Sequence, residues 1–142
     1  LDAKGRLAIP TKYREPLAEL CGGRLIATID HEESCLLVYP MNEWLLIEKQ
    51  LQAMPSMNPM VRRVQRMILG HASELELDGS GRVLLPSELR DHASMEKEIV
   101  LVGQGKRLEM WSKANWDRCR EEFLATDMNV ADMPPELQSF SL

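Results

Sequence analysis

A ten-residue segment occurs twice in this chain and constrains the fold more than any other feature. Residues 1–10 and 77–86 share the pattern Leu-Asp-x-x-Gly-Arg-apolar-x-apolar-Pro at an offset of 76 positions. Five identical residue types and two matched apolar positions are more than chance provides in a chain of 142 residues. The sequence therefore predicts an internal repeat.

The similarity continues beyond this segment. Each copy is followed by a short helical stretch with an arginine at the same step (Arg14 and Arg90), then by two apolar runs, then by a tryptophan (Trp44 and Trp116). The offset falls from 76 to 72 along the way, which predicts that the loop between the two late strands is four residues shorter in the second copy. Each copy is too small to bury a good core alone, so the expected unit is two copies packed together.

Periodicity and capping signals predict a mixture of strands and helices. Strands are expected at residues 7–9, 24–29, 35–39, 72–77, 83–85, 98–102 and 107–111. Helices are expected over residues 12–20, 42–54 and 59–69 and after positions 87 and 112. The expected N-caps are Thr11, Asn42, Asn58, Ser87 and Ser112. From about Ala125 the periodicity fades, and Pro134-Pro135 predicts a loosely ordered acidic tail.

The net charge of −5 argues against a nucleic-acid binder if it is taken as one number. Its distribution is uneven, because residues 1–14 carry a local +3, residues 49–66 a local +4 and residues 117–142 a local −4. A focal basic surface is therefore compatible with an acidic chain. For the three arginines at positions 62, 63 and 66, which face away from the apolar side of a predicted helix, a solvated charged face is favoured over direct phosphate contact.

The remaining composition predicts a cytoplasmic protein without a metal or cofactor. Cys21, Cys35 and Cys119 are odd in number and widely spaced, so a disulfide framework is not expected. His31 and Cys35 have a ligand-like spacing but no second pair of ligands, so no metal site is predicted. No apolar run approaches the length of a membrane span, and no membrane partner is expected. The start at Leu1, within the repeated segment and without an initiating Met, suggests that a short native N-terminal piece precedes it.

The repeated segment has two physical interpretations. Asp followed three positions later by Gly and four by Arg describes a turn in which the carboxylate accepts backbone N–H groups and the guanidinium pairs with it. The turn is then only a structural clamp. Alternatively, a rigid two-stranded turn fits the major groove, with Lys4 and Arg6 facing phosphates or guanine edges and Gly5 allowing close approach. The first copy, which is the more basic, is then the better probe.

These two segments resemble the tandem SpoVT/AbrB-type swapped-hairpin repeats of the MraZ family. Residues 56–66 and 69–74 between the copies resemble that family as well, and the similarity extends to about Phe123. The resemblance implies an α+β fold with a β-barrel core. This is a pseudo-twofold, double-psi or AbrB-like swapped-hairpin barrel built from two tandem repeats, with helices between and after them. It also implies a bacterial transcriptional repressor that binds repeated DNA boxes upstream of its own division and cell-wall gene cluster, as a nucleoid-associated ring of many subunits, with an octamer as one candidate size.

The resemblance implies site residues and a division of the chain. Lys4, Gly5 and Arg6, with Arg82 in the second copy, become the expected DNA contacts, and Asp2 and Asp78 orient the turns. Lys12 and Arg14 complete the predicted DNA-binding set. The expected parts are a first repeat at 1–44, helices at 45–70, a second repeat at 71–116, and a helix with an acidic tail at 117–142. The family's first barrel strand lies before Leu1, so the first repeat is expected to lack it.

Two other classes of function compete with this hypothesis. Gly79-Ser80 sits in a turn, as does the self-cleaving site of pyruvoyl-dependent decarboxylases, but the first copy has Lys4 in place of the serine. An antitoxin-like protein-interaction module, using the acidic tail to hold a partner, is the other alternative. No nucleophile elbow, phosphate loop or metalloprotease motif is present in the sequence, so an enzyme is not expected.

Overall fold

A five-stranded antiparallel sheet and a separate two-stranded ribbon organise the fold. The computed structural model describes residues 1–126 and 132–140, without the side chains of residues 20 and 21. The ribbon pairs β1 (Arg6–Ala8) with β5 (Arg82–Leu84). The sheet has the order β4-β2-β3-β7-β6. Its strands are β2 (Arg24–Ile29), β3 (Leu36–Pro40), β4 (Ser73–Glu76), β6 (Ile99–Gly103) and β7 (Leu108–Ser112).

The helices lie in both halves of the chain and between them. They are α1 (Thr11–Cys21), α2 (Met41–Ala53), α3 (Pro59–Gly70), α4 (Ser87–His92), α5 (Lys113–Ala125) and α6 (Pro135–Gln138). The order β-α-β-β-α occurs twice, with α3 and β4 between the two occurrences. The fold is therefore a mixed α+β fold with antiparallel sheets, as the sequence predicted.

The central sheet is covered on both faces. One face of β2 and β3, represented by Leu25, Ala27 and Val38, packs in a cluster with buried side chains of the ribbon, α1 and α4. The opposite face, represented by Ile26 and Leu37, packs in a second cluster with residues of α2, α3 and α5. Since successive side chains of a strand point to opposite faces, burial of both faces explains why residues 25–29 are apolar except for Thr28, whose hydroxyl donates to the Ile68 carbonyl at 2.6 Å.

The two halves of the chain are joined by symmetrical hydrogen bonds. In the ribbon, the N–H of Ile9 donates to the Gly81 carbonyl and that of Leu85 donates to the Gly5 carbonyl, both at 2.9 Å. In the central sheet, β3 of the first half and β7 of the second half pair directly with each other. Each half thus completes its hydrogen bonding and its core only with the other half present, as expected for two small packed copies.

The shortening of the second copy is divided between two places. The N–H of Leu77 donates to the Gly23 carbonyl at 3.1 Å, and the amino group of Leu1 donates to the Lys97 carbonyl at 2.7 Å. The donors of these equivalent bonds are 76 positions apart, but their acceptors are only 74 apart, so the second copy is already two residues shorter before β6. This stretch contains the first helix of each copy, which has 11 residues in α1 and 6 in α4. The hairpin loop then falls from six residues (30–35) to four (104–107). The prediction of one four-residue deletion between the late strands was wrong.

Three of the five predicted N-caps were also wrong. The first helical residues of α1, α2 and α4 follow a proline, and Pro10, Pro40 and Pro86 are the N-caps, without a side-chain cap bond. Thr11 and Ser87 are therefore the first residues of their helices, and Asn42 is the second residue of α2. Proline fixes its own φ and is favoured where a strand gives way to a helix, so α1 and α4 begin one position earlier, and α2 two positions earlier, than the predicted polar caps would allow.

The other two caps were predicted correctly. Asn58 Oδ1 accepts the N–H groups of Met60 and Val61, and Ser112 Oγ accepts that of Asn115. Gly22 ends α1 in the left-handed conformation, with φ of 63°.

The sheets are open, and part of the predicted tail is not described. Within residues 1–126 and 132–140 the hydrogen-bonded strands do not form a closed barrel, because β4 and β6 are edge strands. The predicted loosely ordered tail falls partly on residues 127–131 and 141–142, which lie outside the described residues. Within residues 132–140, the chain forms the short helix α6.

Replacing the two asparagines by alanine will test the caps. Asn58→Ala should lower the free energy of unfolding by about 1 kcal/mol, since two N–H groups at the start of α3 lose their acceptor. Asn42→Ala should have almost no effect, because its side chain makes no cap bond. Urea unfolding of both variants measures the difference. Equal losses would contradict the assignment of Pro40 as the N-cap of α2.

Candidate nucleic-acid interface

The first repeated turn is closed by the carboxylate of Asp2. Its Oδ1 accepts the N–H groups of Lys4 and Arg6, each at 2.9 Å. Its Oδ2 accepts the Nε–H of Arg6 at 2.9 Å, and the Asp2 N–H donates to the Arg6 carbonyl at 2.9 Å. One side chain therefore fixes the turn and the direction of the arginine that follows it.

The second turn repeats this geometry with a looser arginine. Asp78 Oδ1 accepts the N–H groups of Ser80 at 2.8 Å and of Arg82 at 2.9 Å. The Nε of Arg82 lies 3.5 Å from Asp78 Oδ2, which is an ion-pair distance, but this Nε is buried without a hydrogen-bond partner within the described residues. The guanidinium of Arg82 is thus held less tightly than that of Arg6.

An arginine from the other half of the chain packs on the glycine of each turn. Gly5 and Gly81 have φ of 84° and 74°, a conformation that side chains with a Cβ disfavour. A Cβ built on Gly5 would lie 2.8 Å from the Arg90 Cζ, and one built on Gly81 would overlap the Arg14 guanidinium. The Nε and Nη2 atoms of Arg14 donate to the Ile9 carbonyl at 3.1 and 2.8 Å. Both glycines are therefore favoured by their positive φ, and a Cβ at either position would displace the arginine that packs on it.

The ribbon has a buried face and an exposed face. Leu7, Ile9, Val83 and Leu85 are buried against the central sheet. The alternate positions are half-exposed or exposed: Arg6, Ala8, Arg82 and Leu84. In the antiparallel register Arg6 is opposite Leu84 and Ala8 is opposite Arg82. The two arginines therefore occupy diagonal corners of one narrow outer face.

The predicted DNA-binding residues separate into two groups. Lys4, Gly5, Arg6 and Arg82 lie on the ribbon and its turns, with Lys4 exposed. Lys12 is exposed on α1, where its Nζ lies 4.9 Å from the centre of the Tyr13 ring. Arg14 is half-buried and its guanidinium is bonded within the motif. The structure brings the first group together and gives Arg14 a role in building the site.

Arg90 was not among the predicted site residues. It packs on the Gly5 turn as Arg14 packs on the Gly81 turn. Its buried Nε has no hydrogen-bond partner within the described part of the chain. The available signal was the repeat itself, because Arg14 and Arg90 are separated by the same 76 positions as the two turns.

The turns lower the pKa of both carboxyl groups. The pKa of Asp2 lies below its usual value of 3.8, chiefly because the Arg6 N–H donates to the carboxylate. The pKa of Asp78 is lowered in the same way by the Arg82 N–H, and the charge of Arg6 contributes as well. The Arg6 guanidinium therefore acts on both turns across the ribbon.

A separate acidic cluster lies on the hairpin of the first half. Ligand-type atoms of Asp30, Cys35 and Glu109 lie within 4.8 Å of one another. Sequence spacing had paired Cys35 with His31 and had missed Glu109, which is contributed by the neighbouring strand. Burial chiefly, and then the Glu109 and Asp30 carboxylates, raise the pKa of the Cys35 thiol far above its usual value. A protonated thiol is a poor metal ligand, and Glu109 already accepts the Trp111 Nε1–H at 3.0 Å.

The fold and the ribbon define a class of small α+β proteins that present paired basic turns on one surface. A family model described as "MraZ protein, putative antitoxin-like" matches this chain twice, over residues 1–67 and 68–133. A protein named "Transcriptional regulator MraZ" from Hydrogenovibrio crunogenus is 54% identical over 142 residues, which are 100% of this chain and 93% of that protein.

Other relatives agree with this match. Proteins of the same name from Coxiella burnetii and Legionella pneumophila are 50% and 48% identical over 143 residues, covering 94% of each relative and 100% of this chain. The chain therefore belongs to the MraZ family of transcriptional regulators, which is not a family of enzymes. The pyruvoyl-type alternative at Gly79-Ser80 is set aside on that ground.

The helices were also compared with the dimensions of a lipid bilayer. Among the described residues, none of the helices combines the length and the apolar character that crossing a membrane requires.

Two glycines of one turn provide a matched test of the geometry. Gly81→Ala should destabilise the protein by about 1–3 kcal/mol, since it combines a positive φ with overlap on Arg14. Gly79→Ala should change stability by less than about 1 kcal/mol, because no atom lies within 4 Å of the added Cβ. Thermal unfolding of both variants provides the measurement. Comparable losses would contradict the packing of Arg14 on Gly81.

The carboxylates make the turns sensitive to acid. Because the folded pKa values of Asp2 and Asp78 lie below 3.8, the stabilisation is complete above the unfolded pKa and is lost as the pH falls through the folded values. The parent should therefore lose more stability between pH 5 and pH 2 than the Asp2→Asn/Asp78→Asn variant. Urea midpoints across that range measure it. Parallel pH profiles would show that the carboxylates are not clamps.

Proposed function

We propose that this chain is a sequence-specific DNA-binding transcriptional regulator that reads promoter repeats with the outer face of the β1–β5 ribbon. The observation that carries the proposal is the placement of Arg6 and Arg82 at diagonal corners of one rigid, solvent-facing ribbon. A two-stranded ribbon is narrow enough to enter the major groove, where arginine reads guanine O6 and N7. The transcriptional-regulator names of the relatives support this function.

Each ribbon residue has a distinct proposed role. Arg6, which is oriented by Asp2, contacts a base edge, and the exposed Lys4 contacts a phosphate beside it. Arg82 is the corresponding reader of the second turn, oriented by Asp78. Arg14 supports the Gly81 turn, and Lys12 adds positive charge nearby. Gly5 is buried beneath the Arg90 guanidinium, so its role is to let the first turn adopt a positive φ and not to contact DNA.

The proposal includes a ring-shaped homo-oligomer, with an octamer as one candidate. A single ribbon makes few phosphate contacts and would bind weakly, particularly on a chain with a net charge of −5. Several ribbons on one ring, matched to repeated DNA boxes, raise the affinity by effective concentration, on the order of 10²–10⁴. Repression of the protein's own division and cell-wall gene cluster, in the cytoplasm at the nucleoid, completes the proposed function.

The finer fold proposal is a swapped-hairpin barrel of two repeats. It divides the chain into residues 1–44, 45–70, 71–116 and 117–142. The interleaving of β1 with β5 and of β3 with β7 supports it, as do the two matches to the family model. Strand β4 pairs with β2 just before the second turn. At the first turn, Leu1 donates to the Lys97 carbonyl beside β6, as Leu77 donates to the Gly23 carbonyl beside β2 at the second turn.

Substitution of Arg6 tests the function directly. Arg6→Ala should weaken binding to DNA from upstream of the chain's own coding sequence by at least about tenfold, because a base contact is lost. Arg24→Ala is the matched control, since Arg24 forms a similar exposed ion pair with Glu74 at 2.8 Å. Arg6→Lys should keep salt-dependent binding but discriminate less between specific and unrelated DNA. Fluorescence anisotropy at several salt concentrations provides the measurement.

Two outcomes would contradict the assignment. If Arg6→Ala binds the promoter DNA as the parent does, the ribbon is not the reader. If Arg6→Ala changes the oligomer or the unfolding curve as strongly as it changes binding, Arg6 is chiefly the structural partner of Asp2. Sedimentation and urea unfolding of the same samples distinguish these cases.

A further inference from the structure

Helix α5 is the counterpart of α2 in the repeat, but the two helices are covered differently. At the offset of 72 residues, Trp116 corresponds to Trp44 and Phe123 to Leu51. In α2, Leu51 is 8% exposed. Helix α3 packs there, and Gln65 Nε2 donates to the Leu51 carbonyl at 2.6 Å. In α5, Phe123 is 62% exposed. The second copy therefore exposes an apolar position that the first copy buries.

The exposed end of α5 is both apolar and acidic. Trp116 and Cys119 pack against the second core cluster, and Phe123 continues the same helical stripe beyond it. Leu124 is also exposed, and Glu121 and Glu122 precede these two side chains. An exposed aromatic and leucine beside two carboxylates form a short surface suited to a complementary partner. We call residues 121–124 the acidic end of α5.

A groove of complementary character lies along α3. Its volume is about 530 Å³. Apolar side chains line it together with two arginines, two histidines and one carboxylate: Ile29, Met60, Val64, Met67, Arg63, Arg66, His31, His92 and Asp30. The two arginines are exposed and lie on the side of α3 opposite Val61 and Ile68, which pack towards the body. We call this surface the α3 groove.

We propose that the α3 groove of one copy binds the acidic end of α5 of a second copy. Phe123 and Leu124 enter between the methionines, and Glu121 and Glu122 approach Arg63 and Arg66. Each copy carries one groove and one acidic end, so the contact is head-to-tail and propagates until a ring closes. The inference rests on the ring assembly of the proposed function and identifies the surfaces that build it.

The charges of the two surfaces favour this occupant. The groove carries Arg63 and Arg66 against one carboxylate, Asp30. Phe123 and Leu124 are 62% and 69% exposed, so seating them in the groove would remove apolar surface from water and favour association. The C-terminal segment of residues 132–140 is the competing occupant, with exposed Leu137 and Phe140. Its two acids, Asp132 and Glu136, are separated by three residues, whereas Glu121 and Glu122 are adjacent and directly precede Phe123 and Leu124. A second copy is therefore the better fit.

Charge reversal followed by mixing tests the contact. Glu121→Arg/Glu122→Arg should raise the protein concentration needed for half-assembly by at least about tenfold, because like charges then face each other. Arg63→Glu/Arg66→Glu should do the same. An equimolar mixture of the two variants should restore assembly, since every contact then joins opposite charges. Sedimentation velocity over a range of concentrations measures all three samples.

The controls separate a local contact from net charge and from misfolding. Glu19→Arg/Glu96→Arg carries the same change in net charge at exposed positions outside both surfaces and outside the C-terminal segment, as does Lys49→Glu/Lys106→Glu for the arginine pair. Both should assemble as the parent does. Phe123→Ser tests the apolar contribution without a charge change and should also weaken assembly. Circular dichroism checks that each variant is folded.

Four outcomes would overturn the inference. In the first, the parent protein stays monomeric, and in the second, each charge-reversal variant on its own assembles like the parent. In the third, the two charge-reversal variants are folded but fail to assemble when they are mixed. In the fourth, Leu137→Ser weakens assembly and Phe123→Ser does not. The last would assign the groove to the C-terminal segment. The ribbon is tested independently, because Arg6→Ala affects DNA binding and leaves assembly unchanged if both proposals hold. Conversely, a charge-reversal variant that loses assembly but still binds a single DNA box would show that the assembly contact and the DNA-binding ribbon act separately.

Discussion

The fold depends on one interaction that occurs twice, a carboxylate that accepts two backbone N–H groups of its own turn. Asp2 and Asp78 each fix a turn through these bonds, which places Gly5 and Gly81 where their carbonyls accept N–H groups from the opposite strand. These cross-bonds form the ribbon, and its buried face then covers the central sheet. Local turn chemistry and long-range packing therefore stabilise each other, as expected of a cooperative fold.

The two turns share their backbone but differ in what they present to solvent. Arg6 is hydrogen-bonded to its aspartate, whereas the Arg82 Nε is only within ion-pair distance. An exposed lysine in the first turn is replaced by Ser80 in the second. The first turn is thus more basic and has the more tightly hydrogen-bonded arginine, and the second has the freer guanidinium. In the proposed DNA-binding role, two unequal turns on one ribbon would suit an asymmetric DNA box better than two identical ones.

Sequence reasoning succeeded where the determining interactions are local. The Asp–Gly–Arg clamp, the Asn58 cap and the strand periodicities involve residues within a few positions of one another, and they were predicted correctly. It failed at three helix starts because a preceding proline outweighs a polar cap. It also missed Arg90 on Gly5 and Glu109 beside Cys35, since these contacts depend on how the two halves pair, which the pattern of either half does not specify.

Duplication also explains why the second copy keeps an exposed apolar position on its last long helix. A repeated unit carries the same apolar stripe twice, but the covering helix α3 is present once, between the halves. Leu51 is buried under it, and Phe123 stands exposed on the equivalent helix. An apolar position without a cover in its own chain favours association, and acidic neighbours restrict that association to a basic surface. Pairing Glu121 and Glu122 with arginines of a second copy would reduce the negative charge that repels DNA from the ribbon. Assembly and DNA binding would therefore support each other.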